Sequence, residues 1–180
     1  MADRHIALLR GINVGKAKRV AMADLRALFE DLGFRDVRTL LNSGNVVFIV
    51  ARPKMDLGRT LEKAITERLG VTSRVTIVSA AELDAIVAGN PLLKVATNPS
   101  RLMVSVLNSA ADRERLNPLL KRDWGVERIG VGPRVAYLWC PDSILDSELA
   151  AAVARALGDG VTSRNWGTIS KLHALTRPAS

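Results

Sequence analysis

The sequence predicts an α+β protein made of two ferredoxin-like (βαββαβ) units in tandem. Three observations support this prediction: short apolar runs alternate with helical patterns, the order strand, helix, strand, strand, helix, strand occurs twice, and the pentapeptide Gly-Val-Thr-Ser-Arg stands at 70–74 and again at 160–164. We expect units at residues 1–79 and 101–180, joined by a helical linker at 80–100. A single larger α+β domain is the alternative.

The first unit contains four short runs rich in β-branched and apolar residues, which predict strands at 4–10, 36–41, 45–50 and 74–78. Two stretches between these runs carry apolar residues at helical spacing, and a glycine follows each of them. They predict helices at 22–32 and 56–69.

The linker opens with Ser79 followed by Glu82, a spacing typical of a capping box at the start of a helix. In the second unit, strands are predicted at 101–107, 126–131 and 134–140, and a final strand follows the second pentapeptide. A helix is expected over 109–124, broken or restarted at Pro118. Another is expected over 144–157, with one apolar face made of Leu145, Leu149, Val153 and Leu157. A helical segment is expected at the C-terminus.

Composition excludes several classes of protein. Hydrophobic residues make up 48% and charged residues 24%, as in a folded domain with a core. No apolar stretch approaches the roughly 18 residues that cross a bilayer, and no secretory signal is evident, so we expect no membrane partner. One cysteine, Cys140, forms no internal disulfide, which favours a cytoplasmic location. With only two histidines beside it, a zinc site is not expected, and no other metal or cofactor is indicated.

The positive charge of the chain is concentrated in the first unit. The chain has 26 Lys and Arg against 18 Asp and Glu, and residues 1–79 contain 14 of these cations against 8 acids. Four of the cations lie between Arg10 and Arg19, a segment without any acid. This local excess favours a small anionic ligand, because clustered cations raise the local concentration of anions.

Chain order predicts that three polar segments of the first unit meet at one sheet edge. In the ferredoxin-like order, the loop at 10–19 lies beside the turn at 42–45 and the start of the last strand at 72–74. The candidate ligand-binding residues of this edge are Arg10, Gly11, Asn13, Gly15, Lys16, Ser43, Gly44 and Asn45. Glycines let the backbone approach an anion closely. In the alternative interpretation, the glycines and asparagines only shape turns.

The loop differs from a phosphate-binding P-loop. Three residues rather than four separate Gly11 from Gly15, and Ala17 stands where a serine or threonine would bind Mg²⁺. A further candidate segment near the C-terminus combines cations with an indole ring, in Arg164, Asn165, Trp166 and Lys171. The alternative is that Trp166 only seals the second core.

At these residues the chain resembles a bacterial family, domain of unknown function 1697. The similarity covers nearly the whole chain and rests on Arg10-Gly11-Ile12-Asn13-Val14-Gly15, on Ser43-Gly44-Asn45-Val46 with Phe48, and on Arg164-Asn165-Trp166 with Thr168, Lys171 and Leu172. The resemblance implies that polar loop residues define the family, which is typical of a functional site. It implies no activity, catalytic residue or cofactor.

These observations favour binding, with or without turnover, of a small phosphate-bearing ligand. Two alternatives stay open: a nucleic-acid-binding module, and a homo-oligomeric interaction module without catalysis. Nucleic acid is the less favoured partner, because RNA readers of this fold stack bases on aromatic residues of their central strands. Here Phe48 is the only aromatic residue on the central strands of the first unit, and Tyr137 and Trp139 form an alternating pair on one strand of the second. The sequence indicates neither a reaction nor an oligomeric state.

Overall fold

Two four-stranded antiparallel sheets and six α-helices form the described part of the computed structural model, which comprises residues 3–16, 18–51 and 56–177. The chain divides into two compact units. The first contains the residues up to Leu83 together with those from Leu172 onward, and the second is Asp84–Lys171. Among the described residues, no helix is both long and apolar enough to cross a membrane.

The first sheet has the strand order β2-β3-β1-β4. Its strands are β1 (Asp3–Leu9), β2 (Arg35–Leu40), β3 (Asn45–Val50) and β4 (Val75–Ser79). Two helices, α1 (Met22–Asp31) and α2 (Leu57–Leu69), cover one face of it. Asp56 caps α2 by accepting a hydrogen bond from the Arg59 N–H, and Gly70 ends it with φ +64°.

The core of the first unit is centred on three aromatic rings. Phe48 of β3 lies 4.9 Å from Phe34 and 5.1 Å from Phe29 of α1, measured between ring centroids. All three side chains are buried in a cluster with aliphatic residues of β1, α2 and β4. Burial of these rings stabilises the packing of the helices on the sheet that carries the loop described below.

The second sheet has the strand order β6-β7-β5-β8. When the strands of each sheet are counted along the chain, this is the same order as in the first sheet, second-third-first-fourth. Its strands are β5 (Leu102–Leu107), β6 (Arg128–Gly132), β7 (Val135–Trp139) and β8 (Val161–Asn165). The remaining helices are α3 (Ala80–Ala88), α4 (Asn117–Leu120), α5 (Glu148–Leu157) and α6 (Trp166–Thr176).

The helical stretch predicted over 109–124 ends earlier than expected, and the break or restart predicted at Pro118 is observed. A 3-10 helix spans Ala110–Leu116, and α4 restarts with Pro118 in its first turn, where the missing N–H of proline costs nothing. Beyond α4, the indole of Trp124 donates a hydrogen bond to the Leu119 carbonyl at 2.8 Å. The Leu119 carbonyl thus accepts both from this indole and from backbone N–H groups in the turn that ends α4.

The apolar face predicted over 144–157 is wrong at its start. Ser147 accepts a hydrogen bond from the Ala150 N–H at 2.9 Å and caps α5, which therefore begins at Glu148. Leu145 lies before this cap and is 96% exposed, whereas Leu149 is buried. The periodic spacing continues past the true start of the helix, and the serine cap is the signal that marks it.

The two copies of the pentapeptide do not occupy equivalent positions, contrary to the prediction. One residue past the end of β1, the Arg10 N–H donates to the Arg74 carbonyl. One residue past the end of β5, the Asn108 N–H donates to the Gly160 carbonyl. The last residue of the first copy therefore aligns with the first residue of the second. The first copy precedes β4, whereas most of the second copy lies inside β8.

A different feature does recur in register. Ser79 ends β4, and its side chain accepts a hydrogen bond from the Glu82 N–H at 3.1 Å. Asn165 ends β8, and its side chain accepts one from the Thr168 N–H at 2.9 Å. In both units, the last residue of the fourth strand thus caps the helix that follows.

Candidate functional site

Three segments of the first unit meet at one edge of its sheet. The Leu9 N–H donates to the Gly44 carbonyl, and the Arg10 N–H donates to the Arg74 carbonyl, both at 2.9 Å. The Ser73 hydroxyl donates to the Arg10 carbonyl, also at 2.9 Å. The loop after β1, the turn before β3 and the segment before β4 therefore lie side by side, as chain order indicates.

Asn13 fastens the loop to the turn. Its Nδ2 donates to the Val20 carbonyl at 2.9 Å and to the Asn42 carbonyl at 2.8 Å, and its Oδ1 accepts from the Val20 N–H at 2.7 Å. Both hydrogens of the amide are thereby used inside the protein. Asn13 shapes the loop, and its amide has no hydrogen left for a ligand.

Gly44 brings the turn against the loop. It has φ +85°, and a Cβ added there would lie 2.6 Å from Cδ1 of Ile12 and 2.9 Å from Cβ of Leu9. Only glycine fits this approach. The neighbouring Asn45 is fully buried, and its Nδ2 donates to the Leu40 carbonyl at 2.7 Å and to the Ser43 hydroxyl at 3.0 Å. These two residues build the turn, while Ser43 is exposed.

The sign of φ alternates along the loop after β1. Gly11, Asn13 and Gly15 have φ of +71°, +54° and +56°, whereas the intervening Ile12 and Val14 have negative φ. In other proteins, consecutive residues that alternate between right-handed and left-handed helical backbone form a concave group of N–H donors that binds anions. Within the described part of the chain, the N–H groups of residues 11–16 donate no hydrogen bond. We call residues 11–16 the anion loop.

The cations around the anion loop have different surroundings. The Arg19 guanidinium donates to the Asn13 carbonyl at 2.6 Å and so braces the loop. Lys18 reaches the C-terminal end of α2, because a Cβ on Gly70 would lie 2.7 Å from Lys18 Nζ; this position favours a cation. Lys16 is exposed at the end of the anion loop, and Arg10 is half-buried at its start.

The second unit has no equivalent of this edge. After β5, only Asn108 and Ser109 precede the 3-10 helix, and the hairpin between β6 and β7 is the two-residue turn Pro133-Arg134. The first unit has a long loop and a four-residue turn, Leu41 to Gly44, at the corresponding places. The polar edge is therefore particular to the first unit.

The C-terminal candidate residues belong to the second unit. Burial lowers the pKa of Arg164 to about 10, and its guanidinium donates to the Ser163 carbonyl at 2.9 Å. Asn165 caps α6 as described, and Trp166 is the half-buried first residue of that helix. Lys171 is exposed on α6. Asn165 therefore has a structural task that accounts for part of this motif.

The aromatic pair of the second sheet is buried. Tyr137 is 1% exposed and Trp139 is 7% exposed, and the Tyr137 hydroxyl donates to the Ile86 carbonyl at 2.7 Å. Burial raises the pKa of Tyr137 to about 12. Phe48 is likewise buried in the first core. None of these three rings is placed to stack on a base.

Metal-binding side chains do not converge in the described part of the chain, where no group of three or more His, Cys, Asp or Glu residues is placed to hold an ion. Cys140 is buried, and desolvation raises the pKa of its thiol. The groups at the first-unit edge that could contact a ligand are backbone N–H groups, a lysine and arginines.

Two features of this edge were not predicted from the sequence. The alternating sign of φ in the anion loop depends on Asn13 adopting positive φ, which the pattern Gly-x-Asn-x-Gly signals because asparagine tolerates that region. Leu41 also has positive φ, +58°, at the first position of the turn, and nothing in a leucine indicates it.

The fold is that of a mixed α+β protein with two four-stranded antiparallel sheets. The chain belongs to the family described as protein of unknown function DUF1697, whose model matches residues 2–137. Among solved structures, it is similar to a conserved bacterial protein from Streptococcus pneumoniae, with 21% identity, a TM-score of 0.81 and coverage of 98% of this chain and 100% of that one. No curated protein matches the sequence.

Proposed function

We propose that the first unit binds a small anionic, phosphate-bearing ligand in the anion loop. The observation that carries this proposal is the alternation of positive φ at Gly11, Asn13 and Gly15, which leaves a series of N–H groups without internal acceptors among the described residues. Phosphate oxygens accept several hydrogen bonds at once, so they match such a series.

Charge supports the same ligand. Lys16 follows the last left-handed residue of the loop and extends from it into solvent, and Arg10 stands at the other end. No acid lies between Arg10 and Arg19 in the sequence. A phosphate in the loop would therefore meet hydrogen-bond donors from the backbone and a positive field from both ends.

The test is titration of the protein with inorganic phosphate and with sulfate, followed by thermal unfolding and calorimetry. We expect either anion to raise Tm by about 5–10 °C at about 100 times its Kd. Lys16→Ala should weaken binding about tenfold, because a hydrogen bond to a charged group is lost. Lys94→Ala is the matched control, since it removes one exposed lysine of the second unit.

Two outcomes would overturn the proposal. One is the absence of any stabilisation or heat of binding with either anion. The other is an equal loss of affinity in Lys16→Ala and Lys94→Ala, because equal losses would mean that only the overall charge attracts the anion.

The alternative of a nucleic-acid module gains no support from the rings of the sheets, since Phe48, Tyr137 and Trp139 are buried. Binding of single-stranded oligonucleotides that weakens steeply with salt would revive it. A homo-oligomeric module is the other alternative, and sedimentation at two protein concentrations addresses it. A single buried cysteine, Cys140, supports the proposal that the protein works in the reducing cytoplasm.

We also propose that the two units are ferredoxin-like and arose by tandem duplication. The shared strand order supports this history, and so do the helix caps of Ser79 and Asn165, which occupy the same position in their sheets. The displaced pentapeptide does not contribute to this argument.

A further inference from the structure

Two exposed apolar side chains lie in the anion loop or in the turn beside it. Val14 lies within the loop and is 64% exposed, and Leu41 opens the adjoining turn and is 49% exposed. Each is the sequence neighbour of a residue in the hydrogen bond between Asn13 and Asn42. The two apolar residues therefore belong to backbone segments that are tied directly together beside the open N–H groups.

Leu41 carries a conformational cost as well as exposure. Its φ of +58° lies in the left-handed region, which is unfavourable for a leucine. Asparagine or glycine would adopt this backbone with less strain and would leave no apolar group in water. Strain and apolar exposure at one residue point to a use for the side chain other than stability.

We infer that the ligand is a phosphomonoester with an apolar organic group, whose phosphate lies in the anion loop while the organic group packs on Val14 and Leu41. This inference rests on the proposed function, because the loop must first bind the phosphate. It narrows the ligand class: an ester with an aromatic or aliphatic group binds better than inorganic phosphate does.

The loop favours a monoester over a metal-bound nucleoside triphosphate. In P-loops, a serine or threonine after the lysine holds the Mg²⁺ that accompanies a triphosphate. Here the residue after Lys16 is Ala17, whose side chain has no oxygen. A single phosphate matches the short series of N–H groups and the lysine at its end.

The experiment compares inorganic phosphate, methyl phosphate and phenyl phosphate by calorimetry, without added divalent cation. We expect phenyl phosphate to bind about tenfold more tightly than methyl phosphate, the effect of burying roughly 55 Å² of apolar surface. Leu41→Asn should remove most of that preference and leave the affinity for inorganic phosphate unchanged. Tm of this variant should stay the same or rise, because asparagine relieves the strain.

Leu93→Asn is the control, because Leu93 is 48% exposed and lies in the second unit. It should leave the preference for phenyl phosphate intact. Equal affinities for methyl and phenyl phosphate, or an equal effect of the Leu41 and Leu93 substitutions, would overturn the inference while phosphate binding itself stands. Failure of all three ligands to bind would instead remove the proposed function.

Discussion

The side-chain amide of Asn13 donates a 2.8 Å hydrogen bond to the backbone carbonyl of Asn42, and so joins the loop after β1 to the turn before β3. The same amide group also binds the Val20 carbonyl, where the loop returns toward α1. One side chain within the loop therefore connects it to its own last residues and to the neighbouring turn. The shape of the anion loop depends on this connection.

Replacing Asn13 should loosen the loop and weaken anion binding together. Asn13→Gly keeps a residue that accepts φ +54° but removes three hydrogen bonds, at a cost of about 2–3 kcal/mol in the free energy of unfolding. Asn42→Ala is the control, because the bond uses the carbonyl of Asn42 and not its side chain. Chemical denaturation and phosphate titration of both variants provide the measurement; equal stabilities of the two would contradict this account of Asn13.

Gly44 packs closely against the side chains of Ile12 and Leu9. An alanine at this position should therefore lower the free energy of unfolding by more than its positive φ alone would. Gly44→Ala places a methyl group 2.6 Å from Ile12 and should destabilise the protein by about 2–4 kcal/mol. Gly33→Ala is the matched control, since Gly33 has φ +88° but no atom within 4 Å of an added Cβ. It should cost about 1 kcal/mol, from backbone strain. Denaturant unfolding of both variants measures the difference, and equal losses would contradict the close packing of turn and loop.

The single tyrosine makes the second core observable through its own titration. Burial raises the pKa of Tyr137 from 10.0 to about 12, so the tyrosinate absorbance of the folded protein should appear about two pH units later than that of the unfolded protein. Because the folded pKa is the higher one, the stability that this group contributes is fully present below pH 10 and is lost as pH rises toward 12.

The loss should be on the order of 2–3 kcal/mol. Tyr137→Phe should lose this alkaline dependence and also about 1 kcal/mol at neutral pH, because its bond to the Ile86 carbonyl is removed. Spectroscopic titration and denaturation at several pH values test both statements. An ordinary titration near pH 10 in the folded protein would show that Tyr137 is not buried.

Because the two helix caps are equivalent, removing either one should lower the free energy of unfolding by a similar amount. Ser79→Ala and Asn165→Ala should each destabilise the protein by about 1 kcal/mol, because each removes the side chain that accepts from the N–H three residues on. Ser170→Ala is the control, as Ser170 is exposed in the interior of α6. Thermal unfolding measures all three, and a loss in only one unit would contradict an equivalent role for the two caps.

Helices and strands were predictable from the sequence where both an apolar face and a residue that ends the element could be recognised. The apolar spacing of α2 and Gly70 after it located the helix to within a residue, and β3 has the predicted bounds. In the stretch from 109 to 124, Pro118 marked the restart, but the sequence did not mark the end of α4 at Leu120, beyond which the Trp124 side chain bonds to the Leu119 carbonyl. Such a tertiary contact leaves no periodic pattern.

The location of the polar edge could be predicted from the order of the strands, but the hydrogen bonds that its residues make could not. Asn13 and Asn45 look equally available in the sequence, yet the amide hydrogens of both are donated to internal acceptors. Lys16 and Leu41 face solvent, but only the first could be recognised as a candidate binding residue from the sequence. A lysine in a glycine loop suggests an anion, whereas a leucine with positive φ is recognised only from the backbone.

The most direct test of the anion loop is an amide NMR titration of isotope-labelled protein with inorganic phosphate. We expect saturable shifts concentrated in the N–H signals of residues 11–16, since these groups would donate to the ligand. The signals of Asn108 and Arg134, at the corresponding edge of the second sheet, should stay in place. Shifts spread evenly over both edges, or none in the anion loop, would contradict the proposed site.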